Sequence, residues 1–237
     1  MSDTIFFMID GVEIPAKPGQ TIMQAADEAG VYIPRLCAFK GLSPYGACRI
    51  CTVNVNGRPQ AACTQPVAPG MVVENDTEAL KHCRANLVEM MFVEGNHYCM
   101  FCEKSGNCEL QAMAYRFGIA APKYPYLFPE REVDASHKSV LIDRNRCILC
   151  GRCVLTSRDI DGKNVFQFVG RGKDKSVAVN ADAKLADTDL DVTDEAVSAC
   201  PVGAILKKHV GYAIPVGKRM YDHKPIGSDI EAAKNAG

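Results

Sequence analysis

Residues 147–157 read Cys-Ile-Leu-Cys-Gly-Arg-Cys-Val-Leu-Thr-Ser, and residues 200–201 read Cys-Pro. Three thiols, Cys147, Cys150 and Cys153, recur at every third position, and the fourth place of such a run, four residues further on, is Ser157. Counting back from Cys200 by the same spacing reaches Leu190, Thr193 and Ala196, none of which carries a thiol. One run keeps its first three ligands and the other keeps only its last. Together they leave one complete set: Cys147, Cys150, Cys153 and Cys200.

Two more groups lie upstream. Residues 97–108 read His-Tyr-Cys-Met-Phe-Cys-Glu-Lys-Ser-Gly-Asn-Cys and supply His97, Cys99, Cys102 and Cys108. Earlier still come Cys37, Cys48, Cys51 and Cys63. Of the 12 cysteines, Cys83 alone stands outside these groups. Adding His97 gives three sets of four, a count a disulfide scaffold would not complete with a histidine.

The third set is the most specific. Two-cluster bacterial ferredoxins use Cys-x2-Cys-x2-Cys-x3-Cys-Pro, the last cysteine of each run serving the other cluster. One surviving set predicts a ferredoxin-like domain with one [4Fe–4S] cluster. Any four cysteines could also hold zinc. The first set keeps the Cys-x2-Cys of plant-type [2Fe–2S] ferredoxins, with a longer first loop and a nearer last ligand. It is read as a [2Fe–2S] site, zinc again being the alternative. In the middle set, Cys-x2-Cys directs two sulfurs to one centre and His97 completes four ligands of a second [4Fe–4S] cluster. The alternative leaves His97 merely nearby, beside a three-cysteine zinc or [3Fe–4S] site. Imidazole is neutral where thiolate is negative, so ligation by His97 should raise the reduction potential.

The totals fit this reading. The chain has 237 residues, 47% of them hydrophobic, and a formal net charge of -1, which gives no reason to expect a nucleic acid or membrane partner. No apolar run approaches the ~20 residues of a membrane helix. The N-terminus has no basic start and too short an apolar run for a secretory signal. A cytoplasmic location is expected, where reduced thiols favour metal over disulfides.

The predicted fold class is α+β. Residues 1–76 are read as a plant-type [2Fe–2S] ferredoxin (β-grasp) domain. Strands are expected at 4–9 and 12–14 around Asp10-Gly11, at 52–55 and 61–64 around Asn56-Gly57, and at 71–74. A helix capped by Thr21 is expected over 22–29. Residues 77–121 form a helical segment with the histidine-containing set, helices running over 77–93 and 109–117. The first should bury Leu80, Leu87, Met90 and Met91, with Cys83 as a packed thiol. Residues 122–138 form an extended connector whose aromatic residues hold it against the protein. Residues 139–210 form the [4Fe–4S] ferredoxin-like domain, with strands at 140–142, 165–169 and 176–179, a turn plus helix from Cys147 to about Ser157, and a short helix over 194–199. Residues 211–237 lack periodicity and are read as a tail ordered by a partner.

Three clusters in this order resemble the N-terminal part of the large iron–sulfur subunit of respiratory complex I. The His97-x-Cys99 spacing, Glu94-Gly95-Asn96-His97, the 102–108 run, and Val210-Gly211-Tyr212 with Pro215 and Gly217 resemble the small diaphorase subunit of soluble NAD-reducing nickel–iron hydrogenases. The chain stops soon after the third set, leaving no room for a molybdopterin-type or hydrogen-activating iron domain. The resemblance implies a cytoplasmic, non-catalytic electron-transfer subunit of a hydrogen:NAD+ oxidoreductase. Its partners would be an FMN/NAD-binding diaphorase subunit and the small subunit of a nickel–iron hydrogenase. The absence of Gly-x-Gly-x-x-Gly and of a P-loop agrees with a chain that binds no nucleotide. The alternative is the equivalent relay of a complex I-like, iron-only hydrogenase or NAD-linked formate dehydrogenase complex.

Overall fold

Asp10 and Gly11, both at positive φ (48° and 80°), turn the first strand back on itself. This pairs β1 (Ile5–Ile9) with β2 (Val12–Ala16) from Ile5↔Ala16 to Ile9↔Val12. The computed structural model describes residues 4–180 and 184–233. The expected domain therefore begins, and the expected tail ends, outside the described residues. Thr21 caps α1 (Ile22–Glu28), accepting from the Gln24 N–H while the Gln24 side chain accepts from the Thr21 N–H.

Asn56-Gly57 makes the second hairpin, between β3 (Thr52–Val55) and β4 (Arg58–Ala61). The return strand begins at Arg58, where 61–64 was expected. Pro59 is accommodated because β4 lies at the sheet edge, where a missing N–H costs no ladder bond. With β5 (Val72–Glu74) the order is β2-β1-β5-β3-β4. The sheet and α1 enclose a core of Phe7, Ile9, Ile22, Val53 and Val73.

Helix α2 (Glu78–Glu94) follows. Its fully buried face is Leu80, Arg84, Val88, Glu89 and Val93; of the expected run Leu80 is buried, and Leu87 and Met91 are half-buried against the core. Met90 is 44% exposed. Cys83 is exposed rather than packed, because it lies beside the Arg84 row and faces outward. Arg84 turns inward to donate to the Asn75 and Thr52 carbonyls and to Asn75 Oδ1. Helix α3 (Glu109–Arg116) packs against α2.

The proline-containing connector runs along α2, through Leu127 N–H to the Val93 carbonyl and Lys123 N–H to Glu89. Backbone bonds hold it there. Its Leu127 and Phe128 side chains are exposed, contrary to expectation. At its end β6 (Val133–Asp134), too short for a periodic signal, joins β7 (Val140–Asp143) and β10 (Ile205–Lys207) in the order β10-β7-β6.

Helix α4 (Arg152–Asp159), the hairpin of β8 (Phe166–Val169) and β9 (Ser176–Val179), and α5 (Glu195–Ser198) complete the third region. A larger core joins Leu110, Met113, Ile142, Phe166 and Ile205 to Leu36 and Ile50 from the first region. The tail folds back on its own chain. It carries α6 (Ser228–Ala233), Arg116 donates to the Ile226 carbonyl and pairs with Glu231, and Ile226 is buried.

Candidate metal centres

The first set is assembled by three chain segments. Cys37 follows α1, Cys48 and Cys51 sit in the loop entering β3, and Cys63 follows β4. All four are buried. Arg49, inside the Cys48–Cys51 turn, is held at φ 58°, a strained conformation of the kind found at ligand clamps. Cys37 meets the thiols of Cys48 and Cys63, and Cys63 also meets Cys51. Hydrogen bonds from Cys48 and Cys63 draw the Cys37 thiol well below its ordinary pKa. The same contacts with Cys37, together with burial, push Cys48 and Cys63 well above theirs. The four buried thiols are thus linked pairwise through Cys37 and Cys63, and a metal that replaced their protons would relieve these contacts.

The middle set lines one cavity: His97, Cys99, Cys102 and Cys108, with Phe92, Arg146 and Gly203 among the other walls. A short 3-10 turn, Cys99–Phe101, directs Cys99 and Cys102, and Cys108 begins α3. His97 Nε2 is buried and has no hydrogen-bond partner. Burial, aided by the Arg146 charge, lowers the imidazole pKa to about 4. The ring is therefore neutral at physiological pH, with an uncommitted nitrogen in a pocket of thiols, as metal ligation requires.

Two glycines shape this pocket by close approach. A Cβ at Gly95 would fall 2.6 Å from His97 Nε2, and one at Gly203 would fall 2.5 Å from Cys102 Sγ. Arg146 Nη1 donates to Cys102 Sγ at 3.6 Å. Burial pushes the Cys108 thiol up to about 12.

The third set also surrounds a single cavity. Cys147, Cys150, Cys153 and Cys200 line it with Ile142, Ile148, Val177, Val202, Ala204 and Ile205. Gly151, at φ 80°, turns the chain from the Cys147–Cys150 loop into α4. Burial raises the Cys147 thiol to about 11 and holds Cys150 and Cys153 above their ordinary range. Four thiols in a greasy pocket suit a metal centre that replaces their protons.

The abandoned ligand positions have been filled. Ser157 is buried and its Oγ accepts from the Val165 N–H at 2.8 Å. Leu190 and Ala196 are buried, whereas Thr193 is exposed and donates to Asp191. Arg146, Gly203 and Gly95 escaped the sequence reading. Only the Glu94–His97 stretch carried a signal for one of them.

Comparison with known proteins gives three family matches along the chain. Residues 2–78 match the family described as a 2Fe-2S iron-sulfur cluster binding domain. Residues 84–123 match the NADH-ubiquinone oxidoreductase-G iron-sulfur binding region, and residues 140–206 match a 4Fe-4S single cluster domain. The chain is 43% identical over 225 residues to the NAD-reducing hydrogenase HoxS subunit gamma of Cupriavidus necator, covering 94% of this chain and 95% of that one. It is 33% identical over 204 residues to the mitochondrial NADH-ubiquinone oxidoreductase 78 kDa subunit of Candida albicans, covering 84% of this chain but 28% of that subunit. Among solved structures, a chain of a NAD+-reducing [NiFe]-hydrogenase crystallised in the H2-reduced state superposes with a TM-score of 0.92. It is 45% identical, covering 94% of this chain and 95% of that one.

Proposed function

The chain belongs to the family of the gamma subunit of NAD-reducing hydrogenases, and on that footing we propose that its three ligand sets make it an electron relay. Cys37, Cys48, Cys51 and Cys63 would hold a [2Fe–2S] cluster. His97, Cys99, Cys102 and Cys108 would hold one [4Fe–4S] cluster, and Cys147, Cys150, Cys153 and Cys200 a second. The observation that carries the reading is the unpartnered, buried Nε2 of a neutral His97 among three thiols.

Clusters of this kind, when bound, take up and release single electrons. The chain's own residues do the rest. The apolar walls around Cys147–Cys200 exclude water. Arg146, donating to Cys102, offsets negative charge at the middle site. Gly95 and Gly203 let the backbone close on the ligands. The chain itself needs no active site. Its partners would be an FMN/NAD-binding diaphorase subunit on one side and the small nickel–iron hydrogenase subunit on the other, in the cytoplasm. Among the described residues no helix is long and apolar enough to cross a membrane.

Metal analysis of the native, anaerobically purified complex tests this. About ten iron atoms per chain are expected. Zinc in their place would end the relay reading. Co-purification of a nickel-containing subunit supports the hydrogenase assignment, whereas molybdenum or only a di-iron hydrogenase would favour the complex I-like alternatives.

A further inference from the structure

Arg152 lies between Cys150 and Cys153, at the start of α4, and is only 2% exposed. Its guanidinium reaches every ligand set. Nη1 and Nη2 donate to the two oxygens of Glu109 at 2.6 and 2.7 Å, and Glu109 is the residue after Cys108. Nη2 also donates at 3.1 Å to the carbonyl of Ala38, the residue after Cys37. Nη1 also donates at 3.4 Å to the carbonyl of Ala199, the residue before Cys200. The ring of Phe39 lies 5.2 Å from the guanidinium carbon. A separate bond, from the Glu109 N–H to the Pro201 carbonyl at 2.8 Å, runs parallel to this junction.

We propose that Arg152 is a positioning residue that fixes the three ligand sets relative to one another. A planar fork with several donors is suited to this; an ammonium is a point charge that could satisfy one segment and release the others. The segments joined lie as many as 114 residues apart, and each bond ends within one residue of a proposed ligand. A small displacement at the hub therefore changes the separation between sets without removing any ligand. Electron exchange depends on that separation, so the hub acts on the relay through the ligands' positions and not through contact with a metal.

The proposal rests on the ligand reading above, and the test separates the two. Two variants are made in the complete complex: Arg152→Lys, which keeps the charge, and the double variant Arg152→Met with Glu109→Met, which leaves no buried unpaired charge. Iron content is measured first. Low-temperature electron paramagnetic resonance of the fully reduced complex then reports how neighbouring paramagnetic clusters broaden each other's lines. The expected result is full iron in at least one variant, with the inter-cluster broadening altered and electron equilibration among the clusters slowed several-fold. Full iron with unaltered broadening and unaltered equilibration would overturn the proposal. Loss of iron from both variants would also overturn it, by making Arg152 a support for folding only. A wild-type chain without iron would bring down the ligand reading itself.

Discussion

Gly203 sits against Cys102 so closely that a single added carbon would fall 2.5 Å from the sulfur. The two residues are far apart in sequence, yet the loop after Cys200 forms one wall of the middle pocket. Backbone there cannot retreat freely, because Pro201, two residues earlier, accepts from Glu109. Gly203→Ala is expected to displace Cys102 and lower the iron content by about four atoms per chain, leaving the other two sets loaded. Metal analysis with separate spectra for each cluster type checks this. Unchanged iron would show that the pocket can expand.

His97→Cys should keep a four-iron site. A fourth thiolate adds negative charge, so the potential of that cluster should fall. A redox titration against wild type measures it, and an unchanged midpoint would mean that His97 is not a ligand.

Cys83 is the exposed thiol of the chain, and every other cysteine belongs to a proposed set. Brief alkylation of the native, loaded protein should modify Cys83 alone, as read by peptide mass spectrometry. Chelation of the iron should then open the remaining cysteines to reagent. A second thiol that reacts at once in the loaded protein would identify a ligand wrongly assigned.

Arg84 joins α2 to the first region through three bonds, to Asn75 and Thr52. Arg84→Met would leave those acceptors buried without a donor. A loss of about 2–4 kcal/mol is expected, seen as earlier thermal unfolding of the loaded chain. A shift within error would show that water replaces the guanidinium.

The grouping of the proposed ligands was legible in their spacing: Cys147-x2-Cys150-x2-Cys153 with a distant Cys200-Pro201 marks one set, and the structure lines a single cavity with it. The turns at Asp10-Gly11 and Asn56-Gly57 were equally plain, since both need positive φ. What could not be read depends on contacts across the chain. The inward face of α2 includes Arg84 and Glu89 because both find polar partners from other segments, and that displaces Met90 outward. β6 and β10 are too short to show a period. The tail looked unpartnered by composition, yet Arg116 and the large core supply its partners. Gly203 and Arg146 carry no motif; only their nearness to Cys102 gives them a role.

Both outer strands of the five-stranded sheet contain a proline, Pro15 in β2 and Pro59 in β4. A proline presents no N–H, so neither rim offers an unbroken row of donors to a strand from another molecule. Rims blunted in this way oppose edge-to-edge pairing between copies of the chain.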